Sequence, residues 1–181
     1  MAILPIRKFG DPVLRQKARE VEAITDLHRA LITNMLETMR DAPGVGLAAP
    51  QVGVLERIFV WEVEDAWGAV INPRITARGD ETEVDAEGCL SLPGLVYPVE
   101  RSTAVRLEGL DERGETVAIE AEGLQAVVFQ HELDHLDGVL FIDRLPPELK
   151  KEALRTLRDA ALGLPVAVAP EVTPADSGGA L

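Results

Sequence analysis

The residues best suited to chemistry form one short run and one isolated position. His131-Glu132-Leu133-Asp134-His135 is an HExxH pattern, and the chain's single cysteine is Cys89. On a helix, a separation of four residues puts both imidazoles on one face, where they can share an ion. Glu132 can then reach a water on that ion without occupying the ion itself. Two ordinary packed histidines are the bland alternative; the helical run, the lack of an internal proline and the glycine-rich flanks favour an ion. Protease centres of this pattern take a third ligand, histidine or glutamate, from downstream. No histidine follows His135 and the only other one is His28, so Cys89 is the obvious softer third ligand. One thiolate and two neutral imidazoles leave a position open for water or substrate, as a catalytic site requires. A divalent ion there makes hydroxide available near neutral pH. Cys89 as a nucleophile is the rival role, but a thiolate committed to an ion has its lone pair engaged.

The elements that must position these groups can be read outward from the motif. Leu124, Val127, Val128, His131 and His135 fall on one face at helical spacing, and that helix should stop near Gly138, where FIDRLPP begins an extended exit. Cys89 lies in EGCLSLPGLVYP (87–98), whose glycines and prolines specify its geometry in detail. After it, Val105 and Leu107 alternate with polar residues, 111–114 gives a turn, and Val117 and Ile119 alternate again, predicting a hairpin. Upstream, 57–63 and 67–71 read as strands followed by a turn at Asn72-Pro73, and the more polar 75–85 as an edge strand. Residues 44–53, GVGLAAPQVG, are small enough to let backbone approach backbone or a ligand.

The N-terminal residues to about Ala23 read as an irregular arm lying on the body. Thr25 then caps a helix with apolar positions Ile24, Leu27, Leu31, Met35 and Met39, which stops before Pro43. A final amphipathic helix runs from about Pro147 to Leu162, using Leu149, Ala153, Leu157 and Ala160. Together these predict an α+β fold: mixed or antiparallel β-sheets around a central HExxH helix, with an N-terminal and a C-terminal helix. The expected organisation is one catalytic domain over 1–164 and a flexible tail over 165–181.

Composition narrows the classes. The chain has 181 residues and a 46% apolar fraction, enough for one core and too short for two ordinary domains. A formal net charge of -13 argues against broad contact with nucleic-acid phosphates or an anionic membrane. Pro5, Arg7 and Lys8 break the order of a secretory signal, and no apolar run is long enough to span a bilayer. A lone cysteine excludes an internal disulfide. The basic residues Lys150, Lys151, Arg155 and Arg158 read either as a small basic patch or as solvent-facing charges paired with Glu148, Glu152 and Asp159.

Three separated segments resemble the motifs of peptide deformylases: GVGLAAPQ (44–51), EGCLS (87–91) and QHELDHLDG (130–138). The resemblance spans about residues 1–160. It implies a hydrolase that removes the N-formyl group from the N-terminal formylmethionine of newly synthesised proteins, releasing formate by attack of metal-bound hydroxide. Carried over by motif, Cys89, His131 and His135 hold the metal and Glu132 handles protons, while Gln51 and the backbone N–H of Leu90 hold the developing oxyanion. Gly44, Gly46 and Gly88 would line an extended substrate, and Val128 a methionine pocket near His131 and Leu90. For Val128, core packing has equal weight. Arg101, otherwise a solvent-facing ion-pair partner, would pair with Glu87 and steady the Cys89 loop.

The resemblance further implies one divalent ion per chain, Fe2+ first, Zn2+ next, with Ni2+ or Co2+ as substitutes. It also implies action on N-formylmethionyl nascent peptides with transient ribosome association, while the charge and the lack of a signal or spanning run predict a cytoplasmic protein, expected to be a monomer, with neither DNA nor membrane partners. One departure stands out: some bacterial relatives carry an arginine near the substrate after the cysteine, where this chain has Gly94, Leu95, Val96 and Tyr97. The competing readings are a metalloprotease or broader amidase, and a noncatalytic metal- or peptide-binding protein that keeps the cleft.

Overall fold

A computed structural model describes residues 2–164, so the expected tail over 165–181 lies outside the described residues. In chain order the elements are α1 (Asp26–Asp41), β1 (Gly46–Ala48), β2 (Ile58–Val63), β3 (Ala66–Arg78), β4 (Thr82–Gly88), β5 (Val96–Ser102), β6 (Ala104–Leu110), β7 (Thr116–Glu122), α2 (Gly123–Leu136) and α3 (Pro147–Ala161). Short 3-10 turns precede α1 (Pro12–Arg15), follow β1 (Ala49–Val52) and follow α2 (Phe141–Arg144). Five strands form one sheet in the order β1-β2-β3-β6-β7, while β4 and β5 form a second of two. All of these strand pairs are antiparallel.

β2 lies between two helices, which explains its nearly unbroken apolar sequence IFVWEV. Its side chains alternate across the sheet. Phe59, Trp61 and Val63 pack with Ala126, Val128, Phe129 and Leu136 of α2, and Phe129 meets the rings of both Phe59 and Trp61. Ile58 and Val60 turn the other way, toward Ile32, Met35, Leu36 and Met39 of α1. A third cluster joins Cys89, Leu92, Leu95, Tyr97 and Val99 to Phe141, Ile142 and Ala153, and so fixes the smaller sheet under α3. Burying each large apolar side chain contributes about 1.5–3 kcal/mol before conformational entropy is set against it.

Thr25 stands at the N-cap of α1, where its N–H donates to His28 Nδ1 at 2.9 Å. The buried stripe, however, is Ile32, Met35, Leu36 and Met39 rather than one running through Leu27, which is 82% exposed. The predicted hairpin forms as β6–β7, with Leu107 opposite Ile119.

Elsewhere the structure corrects the sequence reading. The turn expected at Asn72-Pro73 is a slip within one long strand, β3, where pairing with β6 shifts between Ile71 and Arg74. Asn72 adopts φ 52° and exchanges two bonds with the Val21 backbone, Val21 N–H donating at 2.8 Å and Asn72 Nδ2 donating at 2.9 Å. These replace ladder bonds, and a bulge tolerates the proline that cannot donate. The expected extended exit after α2 is a 3-10 turn that drives Phe141 and Ile142 into the core. On α3, Arg158 pairs with Asp159 at 2.7 Å as a solvent-facing charge, whereas Lys150 pairs with Asp143 at 2.8 Å rather than with Glu148, and Tyr97 Oη donates to Glu152 at 3.2 Å. Among the described residues, no helix is long and apolar enough to cross a membrane.

Candidate metal centre

The polar half of α2 faces the turn that follows β4. His131 and His135, one helical turn apart, bring their Nε2 atoms to 3.1 Å, and His135 Nε2 lies 3.3 Å from Cys89 Sγ. All three potential ligand atoms fall within 4.8 Å of one another, and all three residues are buried. The chain after β4 tightens at once: Leu92 N–H donates to Cys89 O at 3.0 Å and Leu95 N–H to Leu92 O at 3.3 Å. That turn aims the sulfur at the helix.

The donor set and its surroundings fit a divalent ion. Sulfur and imidazole nitrogen are ligands that suit iron(II) and zinc. Glu132, beside the cluster, is wholly buried, and neither of its carboxylate oxygens has a protein partner. Burial pushes its pKa up to about 8, with His131 opposing the rise. A buried carboxylate without a protein partner is costly to keep, which marks this position as a functional candidate. The imidazoles shift in opposite directions: burial works against charge on His131, but Glu87 and Cys89 hold it above its ordinary value. His135 is pushed down by burial and by the neighbouring His131 and Arg101.

A buried ion-pair network ties the cysteine turn to the helix. Arg101 on β5 donates from Nε to Glu87 Oε1 at 3.1 Å and from Nη2 to Glu87 Oε2 at 2.9 Å, while Nη1 donates to Asp134 Oδ2 at 2.7 Å. Arg144 adds a bond from Nε to Asp134 Oδ2 at 2.7 Å. Burial raises the Glu87 carboxyl, but His131 and Arg101 outweigh it and bring the pKa to about 2, so Glu87 is ionised. Its Oε2 also lies 3.3 Å from His131 Nδ1, within ion-pair reach but poorly aligned for a hydrogen bond.

Gln51 arrives from the 3-10 turn after β1. Ala48 N–H donates to its Oε1 at 2.7 Å, which leaves the amide nitrogen to face the site. That Nε2 donates to Ser91 Oγ at 3.2 Å and sits 3.8 Å from Cys89 Sγ. Leu90, next to Cys89, is half-buried and receives Lys8 Nζ on its carbonyl at 2.7 Å.

The remaining predicted residues separate by setting. A Cβ on Gly46 would fall on the Glu132 carboxylate, with Cδ only 2.9 Å away, so this glycine makes room for the acid. Gly44 N–H donates to Met39 O at 2.9 Å and closes the end of α1. At Gly88 an added Cβ would meet nothing nearer than Leu95 O at 3.5 Å. Val128 is fully buried in the core between α2 and the larger sheet. In the segment that departs from the motif, Leu95 and Tyr97 turn into the core, and Gly94 takes φ 79°.

Sequence reading missed Asp134 and Ser91. Asp134 occupies a spacer position of HExxH, and only its proximity to two arginines reveals it. Ser91 follows the cysteine by two residues, and its hydroxyl is the acceptor that holds the Gln51 amide.

Comparison with known proteins gives one consistent answer. A family model described as polypeptide deformylase matches residues 3–151. A peptide deformylase of Acidothermus cellulolyticus is 52% identical over 160 residues, covering 88% of this chain and 88% of its own. One from Clostridium botulinum is 55% identical over 144 residues, covering 80% of this chain and 97% of its own. The crystal structure of peptide deformylase from Thermus thermophilus superposes with TM-score 0.83 at 48% identity, over 89% of this chain and 96% of that one. That of a Synechococcus elongatus peptide deformylase in complex with actinonin gives TM-score 0.82 at 42% identity, over 91% of each chain.

Proposed function

The chain belongs to the polypeptide deformylase family, and from that footing we propose that Cys89, His131 and His135 hold one divalent ion, with Glu132 as the proton-transfer group. The activity is hydrolysis of the N-formyl group from the N-terminal formylmethionine of newly synthesised proteins, with release of formate. The observation that carries the assignment of roles is the Gln51 amide, held with its donor side 3.8 Å from Cys89 Sγ. A fixed neutral donor beside the ligand set is suited to the charge that develops on a carbonyl oxygen.

When bound, the ion supplies Lewis acidity that makes water a nucleophile at neutral pH. Glu132 takes a proton from the attacking water and returns it to the departing amine. Buried beside the ligand set with neither carboxylate oxygen engaged by a protein group, Glu132 has both oxygens free for that exchange. Gln51 Nε2 and the Leu90 N–H donate to the oxyanion of the tetrahedral intermediate. Gly44, Gly46 and Gly88 flank the extended peptide, while Val128, fully buried, serves core packing rather than a methionine pocket. The buried Glu87–Arg101–Asp134 network keeps Cys89 in register with α2.

Fe2+ is the first choice of metal, then Zn2+, with Ni2+ or Co2+ as substitutes. Residues 1–164 make up the catalytic domain, which acts as a cytoplasmic monomer on nascent chains and meets the ribosome only transiently. The net charge of -13 supports the absence of a broad RNA-binding face. The test is anaerobic isolation, metal analysis and an assay on matched formylated, acetylated and internally cleavable peptides. Stoichiometric metal with selective formate release is expected; internal cleavage without formate would overturn the reading in favour of a protease.

A further inference from the structure

The two groups assigned to the oxyanion come from separate parts of the fold, Gln51 from the turn after β1 and Leu90 from the turn after β4. Residues 4–9 of the N-terminal arm touch both. Leu4 packs against the cluster that holds Leu47, Ala49 and Val52 around Gln51, and Phe9 packs against the cluster that holds Cys89, Leu92 and Leu95. Between these anchors the backbone bonds to each side: Arg7 N–H donates to Gln51 O at 2.7 Å, and Phe9 N–H donates to Ser91 O at 2.9 Å. Lys8, between them, extends Nζ to Leu90 O at 2.7 Å. The Arg7 guanidinium covers Gly53, where an added Cβ would lie 3.0 Å from its Nε.

We propose that this arm is a strap that sets the spacing between Gln51 and Leu90, with Lys8 as a positioning residue for the oxyanion donors. The inference rests on the deformylase reading above. The direct links between the two donor segments run from Gln51 Nε2 to Ser91 Oγ at 3.2 Å and to Cys89 Sγ at 3.8 Å, both made by the donor that must serve the substrate. The arm supplies a further link made of backbone groups the reaction does not use. Lys8 holds the carbonyl of the residue whose own N–H is a donor, and so fixes how that residue is turned.

The test compares the metal-loaded wild type with Lys8→Met and Lys8→Arg for formate release, metal content and backbone hydrogen exchange. Because the donors act in the transition state, Lys8→Met should lower kcat about three- to tenfold with KM changed by less than about twofold. Lys8→Arg should restore kcat. Exchange over 49–53 and 89–92 should quicken in resting Lys8→Met at unchanged metal content, a readout independent of turnover. Wild-type kcat and exchange in Lys8→Met would overturn the strap, as would a loss of activity that merely follows loss of metal. Wild-type protein that releases no formate would instead overturn the deformylase reading on which the strap depends.

Discussion

α1 and α2 pack on opposite faces of the same sheet, yet they bury opposite kinds of surface. α1 buries Ile32, Met35, Leu36 and Met39 and leaves most of its polar side chains outside, so burial alone orients it. α2 buries Gln130, His131, Glu132, Asp134 and His135 together with Val128 and Phe129. A helix of that kind is held only if its polar groups find partners. Gln130 Nε2 donates to Ser102 O and to Ala126 O, both at 2.9 Å, and Asp134 accepts from Arg101 and Arg144. The exceptions on α2 are the Glu132 carboxylate and the outer ring nitrogens of the two histidines. The unpartnered atoms gather where the reaction is assigned, and the partnered ones surround them.

The sharpest way to break this contrast is to neutralise the exception. Glu132→Gln should keep the metal and the fold but lose about 10²- to 10⁴-fold in kcat, as expected for removal of a proton-transfer group. Turnover near the wild-type rate would remove Glu132 from the mechanism. A partnered group should fail differently. Arg101→Met leaves Glu87 buried without its cation and Asp134 with Arg144 alone, which costs about 3–5 kcal/mol by denaturant unfolding, with weakened metal binding alongside. On the opposite face, Met35→Ala should cost about 2–4 kcal/mol through its cavity while the folded fraction keeps its kcat. A kcat that falls with Met35 would show that the two faces are coupled.

The smallest effect belongs to a half-exposed site off both faces. Burial raises the Asp143 carboxyl, but bonds from Arg15 and Lys150 outweigh it and hold its pKa below the ordinary 3.8. A carboxylate with a lowered folded-state pKa stabilises above the unfolded value and loses that stabilisation as pH falls through the folded one. Asp143→Asn should therefore cost about 0.5–1 kcal/mol near neutral pH, discounted for solvent screening, and that cost should fade as pH falls below the ordinary carboxylate range. An unfolding difference that persists in acid would mean the effect is packing.

Legibility in the sequence followed the same division. Where one face is buried and the other wet, period gives the element: β6–β7 and α1 were readable, and the approach of His131 to His135 followed from helical spacing. Even so, the stripe on α1 was misplaced by its first turn, because Leu27 lies where no strand covers it. Strands shaped by partners far along the chain were harder to read. β3 runs through Asn72-Pro73 only because the Val21 backbone completes the bulge, and β5 was hidden by Pro98 and its charged neighbours. The pairing of Arg101 with Glu87 was suggested by resemblance, but the second grip on Asp134 needed three dimensions. So did the arm, most of whose bonds run from backbone to backbone and leave no mark on residue type.

Gly46 carries a consequence for variation. It contributes no functional group, yet the space above its α-carbon is filled by the Glu132 carboxylate. In a saturation mutational scan it should score with the acid it accommodates, since even alanine would displace the carboxylate. Escape from an inhibitor of this site by substitution at Gly46 would disturb the acid and forfeit turnover.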